Sequence, residues 1–358
     1  MNPKRFFLFV ILIPFLCYAQ ERSIVSIPDI RGYKTLLCDF HMHTVFSDGE
    51  VWPTVRVDEA WKHGLDAIAI TDHLEYQPHK ENVTGSFNRS WQLAREYAKG
   101  KDIIVIPATE ITKGMPPGHF NALFIKDADP ILNNNFKLAI KEAANQGAFI
   151  LWNHPGWKAQ QPDTMKWWEE HSFLLHQGWL HGIEVVNYGN FYPEALNWSL
   201  DSSLAVLGNS DMHAPFASKR LTPEGHYSLT LVFAADRTEG GIRDALFSGR
   251  TLACYDEYII GKEEYLRALL FEALKIKPLG NNKYVIVNNT DLHFDLALSN
   301  EIYEDWKTEV YVKPDHEVIF YLPAETAIES IVISVRNFIR RSDSCIQVAM
   351  EDMLKYTE

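Results

Sequence analysis

From Thr35 to about Tyr258, short apolar runs alternate with amphipathic stretches, and this rhythm restricts the fold more than any other feature of the chain. The apolar runs fall at 35–43, 66–72, 102–110, 119–125, 148–153, 182–187, 204–211 and 227–234, each of strand length. Helix-patterned segments lie between them at 54–63, 86–99, 134–146, 163–176 and 193–202. Strand-then-helix order repeated this often predicts an α/β fold, a parallel sheet with helices packed outside. Residues of metal-ligand type stand at the ends of nearly all these runs. Only a closed sheet brings all strand ends round one point, so a TIM-like barrel is expected.

The densest of these ends is Asp-Phe-His-Met-His-Thr-Val-Phe-Ser-Asp-Gly at 39–49. A strand carries residues i and i+2 on one face, so His41 and His43 can reach one ion, with Asp48 following after a turn-like segment. Asp72 and His73 close the second run and Glu110 the third. His119 opens the fourth, and His154 ends the fifth within Trp-Asn-His-Pro. The sixth carries Glu184 and Asn187, and the seventh ends in Asn-Ser-Asp211-Met-His213, another pair two apart. Any one of these has a plain explanation, since a strand-end Asp or Asn often caps the next helix. Taken together they point to a metal centre of N and O donors, suited to zinc, manganese or iron and not to an iron–sulfur cluster.

Lys4 and Arg5 precede the apolar run Phe6–Leu16, and Cys17-Tyr-Ala19 supplies small residues before Gln20. This is the layout of a signal peptide over residues 1–19, too short for a membrane span, and it predicts an exported, periplasmic protein with no membrane span after cleavage. The net charge of −13 becomes more negative without the two basic residues of that leader. Such a surface repels polyanions, so extended nucleic acid is excluded as a partner. Three widely spaced cysteines, Cys38, Cys254 and Cys345, would remain, which is no disulfide framework. Beyond about residue 265 the rhythm changes to period-two alternation, as in Leu292, Phe294, Leu296 and Leu298, with Pro314 and Pro323 as punctuation. The organisation expected is a barrel domain over 30–262 and a small antiparallel β-sandwich over 268–352.

The motifs His41-Met-His43-Thr-Val-Phe-Ser-Asp48-Gly, Thr71-Asp-His73, Glu110, His119, His154 and Asn209-Ser-Asp211-Met-His213, with the segment Asp244–Arg250, resemble those of the polymerase and histidinol phosphatase (PHP) metallohydrolases. The resemblance implies a distorted (β/α)7 barrel holding two to three divalent ions at the C-terminal strand ends. By that likeness, one ion takes His41, His43, Glu110 and Asp211. A second takes Glu110 as a bridge with His119 and His154, and a third takes Asp48, His73 and His213. Catalytic roles fall to Glu110, as the bridge, and to Asp72, which would orient a ligand or relay a proton. Asn153 and Asn209 are expected to donate to the ligands from behind.

The function implied is a metal-dependent phosphoesterase in which a metal-activated hydroxide attacks a small phosphate mono- or diester. Lys158, Arg220 and Tyr188, in loops after ligand-bearing strands, are the candidate substrate contacts, with Lys113 and Lys219 as further cations. Trp152, Trp157, Phe191 and Tyr192 are candidates for stacking on a planar or sugar leaving group. Two other functions compete. Amidohydrolases also begin with His-x-His on a first barrel strand, and an exported protein of this kind could bind metal structurally and grip a glycan without catalysis.

Overall fold

The computed structural model describes residues 21–216, 228–300, 306–324 and 326–357. The leader at 1–19 and the candidates Lys219 and Arg220 lie outside the described residues. No helix among the described residues is long and apolar enough to cross a membrane.

The first two-thirds of the chain builds strands β1 (Lys34–Met42), β2 (Ala67–Ile70), β3 (Ile104–Ile106), β4 (Ala108–Ile111), β5 (Phe120–Leu123), β6 (Phe149–Trp152), β7 (Gly182–Asn187), β8 (Asn190–Phe191), β9 (Ala205–Asn209), β10 (Leu229–Ala234), β11 (Thr251–Tyr255) and β12 (Tyr258–Gly261). Interspersed are helices α1 (Pro53–Lys62), α2 (Arg89–Tyr97), α3 (Phe136–Asn145), α4 (Glu169–His176), α5 (Pro193–Asp201) and α6 (Glu239–Phe247). The α/β class expected from the pattern is observed.

The strands form two sheets, one running β12-β11-β10-β1-β2-β3 and the other β4-β5-β6-β7-β8 with β9 also on β7. Side chains from both share one apolar interior: Leu36, Phe40 and Val232 from the first meet Phe149, Leu151 and Leu207 from the second. Helices α1 and α2 cover the first sheet through Val57, Ala60, Trp91 and Ala94. Helices α3 to α5 cover the second through Ala139, Ile140, Leu174 and Leu196.

Two expectations are corrected. The sheets are mixed, not parallel: β1–β2–β3 and β6–β7–β9 are parallel, whereas β1–β10, β10–β11, β4–β5 and β5–β6 are antiparallel. At β4–β5 the reason is local, because the short connection 112–119 has no crossover helix and a direct return must be antiparallel. Nor does the ladder close among the described residues. Pro107, which has no N–H to donate, splits the expected strand 102–110 into β3 and β4, and the halves join different sheets. Across this seam the sheets touch through the isolated bridge His73–Glu110, and across the opposite one through Met42–Met212.

The C-terminal part adds α7 (Glu263–Ala273), β13 (Leu274–Gly280), β14 (Lys283–Asn288), β15 (Phe294–Asn300), β16 (Lys307–Val312), β17 (His316–Tyr321), β18 (Ile331–Arg341), β19 (Ser344–Ala349) and α8 (Met350–Thr357). β15 shows the strict in–out alternation that its sequence predicts. Antiparallel β13-β14-β17 and β16-β15-β18-β19 contribute Ile276, Ile286 and Phe320, and Leu296, Leu298 and Val335, to one core. The second of these sheets is continuous with the first half of the molecule, since β18 pairs in parallel with β12 at Ile259–Phe338 and Ile260–Ile339.

One buried histidine makes stability depend on pH. His171 in α4 is wholly enclosed, its ring stacked 3.6 Å from Trp152. Its Nε2 donates to Pro117 O at 2.8 Å and its Nδ1 accepts Trp168 N at 3.1 Å, a pattern only the neutral ring satisfies. Burial pushes its pKa down to about 4 from 6.5, and burial with nearby Arg243 does the same to His181. The unfolded chain therefore takes up these protons before the folded one does. Stability contributed by these groups is expected to fall from about pH 6.5 to about pH 4 and then level off, by on the order of 3 kcal/mol at most for each. In chelated samples, His171→Gln should lose less stability than wild type between pH 7 and 4 in denaturant titrations. A parallel fall would contradict the assignment.

Candidate metal centre

The cluster is assembled from both sheets at one end of their shared interior. His41 lies in β1, His43 and Asp48 follow it and His73 follows β2, whereas Glu110, His119, His154, Asp211 and His213 come from β4, the start of β5 and the ends of β6 and β9. All nine predicted ligands are brought together. Their donor atoms form four groups, each within 4.8 Å: His43–Asp48–His73–His213, His41–Glu110–His154, His41–His43–Asp211 and His73–Glu110–His119.

Glu110 is at the centre. Its Oε2 stands 3.3 Å from His41 Nε2, 3.3 Å from His43 Nε2 and 3.0 Å from His73 Nδ1, and its Oε1 2.8 Å from His119 Nδ1 and 3.8 Å from His154 Nε2. Asp211 Oδ1 lies 3.2 Å from His41 Nε2 and 3.1 Å from His43 Nε2. At the mouth Asp48 Oδ1 lies 3.3 Å from His213 Nε2 and 3.5 Å from His73 Nε2.

Local sequence explains these placements. Asp72 binds the loop after β1: its Oδ1 accepts Thr44 N and Ser47 Oγ, and its Oδ2 accepts Thr44 Oγ1, each at 2.7 Å. The loop turns at Gly49, where a Cβ would stand 2.5 Å from the backbone of His43 and Thr44, so no larger residue fits. His154 and Asp211 are held at φ 28° and φ 51°, a left-handed conformation uncommon outside glycine and concentrated at functional sites. Glu184 supports the first of them by accepting His154 N at 2.8 Å.

The electrostatics are strongly coupled. Burial would raise Glu110, but His73, His119 and His41 hold it well below the usual carboxylate range. Burial likewise opposes ionisation of Asp211, which His41, His43 and His154 hold well below that range. Burial opposes a proton on His41, yet Asp211, Glu184 and Glu110 raise its pKa well above the ordinary imidazole value. His43 goes the other way, lowered to about 4 by burial and by His73.

The donor set fits divalent cations. His43 Nε2, His119 Nδ1 and Asp48 Oδ1 are buried and make no hydrogen bond, although possible partners stand close. Ligands at about 2.1 Å from one tetrahedral ion lie about 3.4 Å apart, which matches the spacings round Glu110 and Asp211. So many buried ionisable groups are costly unless charge of the right sign holds them together.

Three comparisons bear on identity. No model of a protein family matches the chain. An uncharacterised protein of Methanocaldococcus jannaschii is 30% identical over 188 residues, covering 49% of this chain and 81% of that protein. A crystal structure from Bacteroides vulgatus is 42% identical with a TM-score of 0.86, covering 92% of this chain and 98% of that one, and is described as a two-domain protein containing a predicted PHP-like metal-dependent phosphoesterase. The chain belongs to the PHP-like metal-dependent phosphoesterases.

In this PHP-like protein Asn153 Nδ2 donates to Glu110 Oε1 at 3.1 Å and Asn209 Nδ2 to Glu184 Oε1 at 2.9 Å. Other assignments need adjustment. Asp72 is engaged in holding the 44–48 loop. Trp152 is wholly buried among apolar and aromatic side chains and cannot meet substrate. Lys113 is paired with Glu75 at 2.5 Å, and Lys158 is exposed, its Nζ 3.4 Å from Asp163 O. Tyr188 is 62% exposed on the loop after β7. Trp157, 44% exposed, sets its ring edge against His119 and His154, with centroids 5.7 and 5.3 Å apart.

Sequence reasoning gave Glu184 no role. It is wholly buried, 2.8 Å from His41 Nδ1, and also accepts from Asn187 Nδ2 at 2.9 Å. A carboxylate behind a candidate ligand fixes the ring's tautomer and orientation. Its signal was legible: a charged residue inside the otherwise apolar strand Gly-Ile-Glu-Val-Val.

Proposed function

We propose that this protein is a metal-dependent hydrolase of small phosphate esters, exported as its leader predicts, with the two sheets serving as the halves of a distorted (β/α)7 barrel. The observation carrying this reading is Glu110, one carboxylate reached by His41 and His43 of one candidate ion site and by His119 and His154 of another. His41, His43 and Asp211 would hold one ion with Glu110, and His119 and His154 a second. Asp48, His73 and His213 would hold a third nearer solvent. Divalent ions so held supply positive charge for the phosphoryl and leaving oxygens and lower the pKa of water near neutral pH.

The remaining work belongs to the protein. Glu184 orients His41 and fixes which nitrogen faces the cluster. Gln160 Nε2 lies 3.0 Å from His119 Nε2, on the opposite side of the ring from the Nδ1 that faces Glu110. Thr112 Oγ1 lies 2.6 Å from His73 Nδ1 and steadies that ring. Trp157 offers a half-exposed aromatic surface beside His119 and His154 for the leaving group.

The test is a panel of phosphate monoesters, phosphate diesters and amides assayed with the manganese- or zinc-loaded protein. Turnover of an ester class, with amides untouched, is expected. Amide hydrolysis alone would transfer the site to amidohydrolase chemistry, and no turnover of a metal-loaded chain would favour a binding protein.

A further inference from the structure

Arg56 is a buried charge that the ligand set does not use. It lies in α1, and its side chain is wholly enclosed. A guanidinium in such a place is tolerated only when its donors are satisfied. Its Nε donates to His43 O at 2.9 Å. Its Nη2 donates to Met212 O at 3.0 Å and His213 O at 2.6 Å. Its Nη1 donates to Ala214 O and Glu59 Oε2, both at 2.9 Å. The other oxygen of Glu59 accepts Phe216 N at 2.9 Å, so the pair grips the 212–216 segment from two sides.

These acceptors belong to two chain segments from different sheets. His43 follows β1, and residues 212–214 follow β9. Other backbone contact between them is sparse, with His43 N donating to Met212 O at 3.0 Å and Glu50 N to His213 O at 2.9 Å. The planar fork of an arginine can engage several carbonyls at fixed angles, which a lysine ammonium cannot.

We propose that Arg56 is a positioning residue that sets the geometry of the outer ion site, Asp48–His73–His213, by clamping the backbone of its ligand His213 against that of His43 across the seam. The inference rests on the metal-centre reading. A merely structural arginine would lower stability without singling out one ion.

The experiment compares wild type, Arg56→Lys, His213→Ala and the double variant, each chelated and then titrated with Mn²⁺ under equilibrium dialysis, with thermal midpoints recorded before metal is added. Arg56→Lys is expected to bind one equivalent at least about tenfold more weakly, the scale on which groups behind a ligand act, and the others as wild type does. The same equivalent should be missing in His213→Ala, and the double variant should lose nothing more. Unchanged binding in Arg56→Lys, or equal weakening of every equivalent, overturns the proposal. Where Arg56→Lys fails to fold, Glu59→Gln carries the same expectation, and unchanged binding there overturns it. A wild-type chain that takes up no Mn²⁺ overturns the metal-centre reading and this inference with it.

Discussion

Glu110→Gln is expected to lower phosphate-ester turnover by about 10³-fold or more with the fold intact, a size consistent with removing a group that stabilises transition-state charge. The amide keeps the shape of the side chain but loses its charge and turns one acceptor into a donor. Both original oxygens are needed, since Oε2 faces His41, His43 and His73 while Oε1 faces His119 and His154 and accepts Asn153. An NH2 group on either side meets an imidazole or the Asn153 amide and gives up a ligand atom shared between sites. The check is turnover at fixed metal concentration, alongside metal content and circular dichroism. Wild-type turnover in this variant would remove the shared-carboxylate mechanism.

Removal of metal should abolish turnover and also loosen the fold. Anything that binds only the folded chain stabilises it, by about 2.7 kcal/mol at a hundredfold excess over Kd. At little more than one degree per kcal/mol for a chain of this length, chelation is expected to lower the thermal midpoint by roughly 4 °C for each ion lost. The acidic groups make the direction firm. Without cations, ionised Glu110 and Asp211 depend on charge from neighbouring imidazoles, and one of these, His43, is lowered to about 4 by burial and by His73. Scanning calorimetry with and without chelator, followed by return of manganese or zinc, measures both effects. A midpoint indifferent to metal, or activity that survives chelation, would count against the proposal.

Much of this site could be read before any coordinates, because a ligand residue announces itself by its chemistry at a strand end. His41 and His43 at period two, and Asp211 with His213, needed only the geometry of an extended chain. The sheet was read less well. Alternating runs identify strands but not their direction, and the pattern missed that β4 returns directly through β5 or that Pro107 shifts the chain from one sheet to the other. Arg56 was invisible for another reason. Its neighbours Val57 and Ala60 mark a buried helix face, but a cation on such a face declares nothing until the carbonyls of a distant segment are in place. Glu184 fell between these cases, conspicuous in an apolar strand yet without an assignable partner.

A β-ladder is indifferent to side-chain identity, and a break in it is not. The two shells of this molecule meet beside the centre at His73–Glu110 and Met42–Met212 without continuous pairing. A small slide of one shell past the other would therefore alter the separation of His43 and His73 from His119 and His154 while leaving every strand register unchanged. The spacing between the two halves of the ligand set therefore depends on side-chain packing along these two lines and not on a continuous ladder.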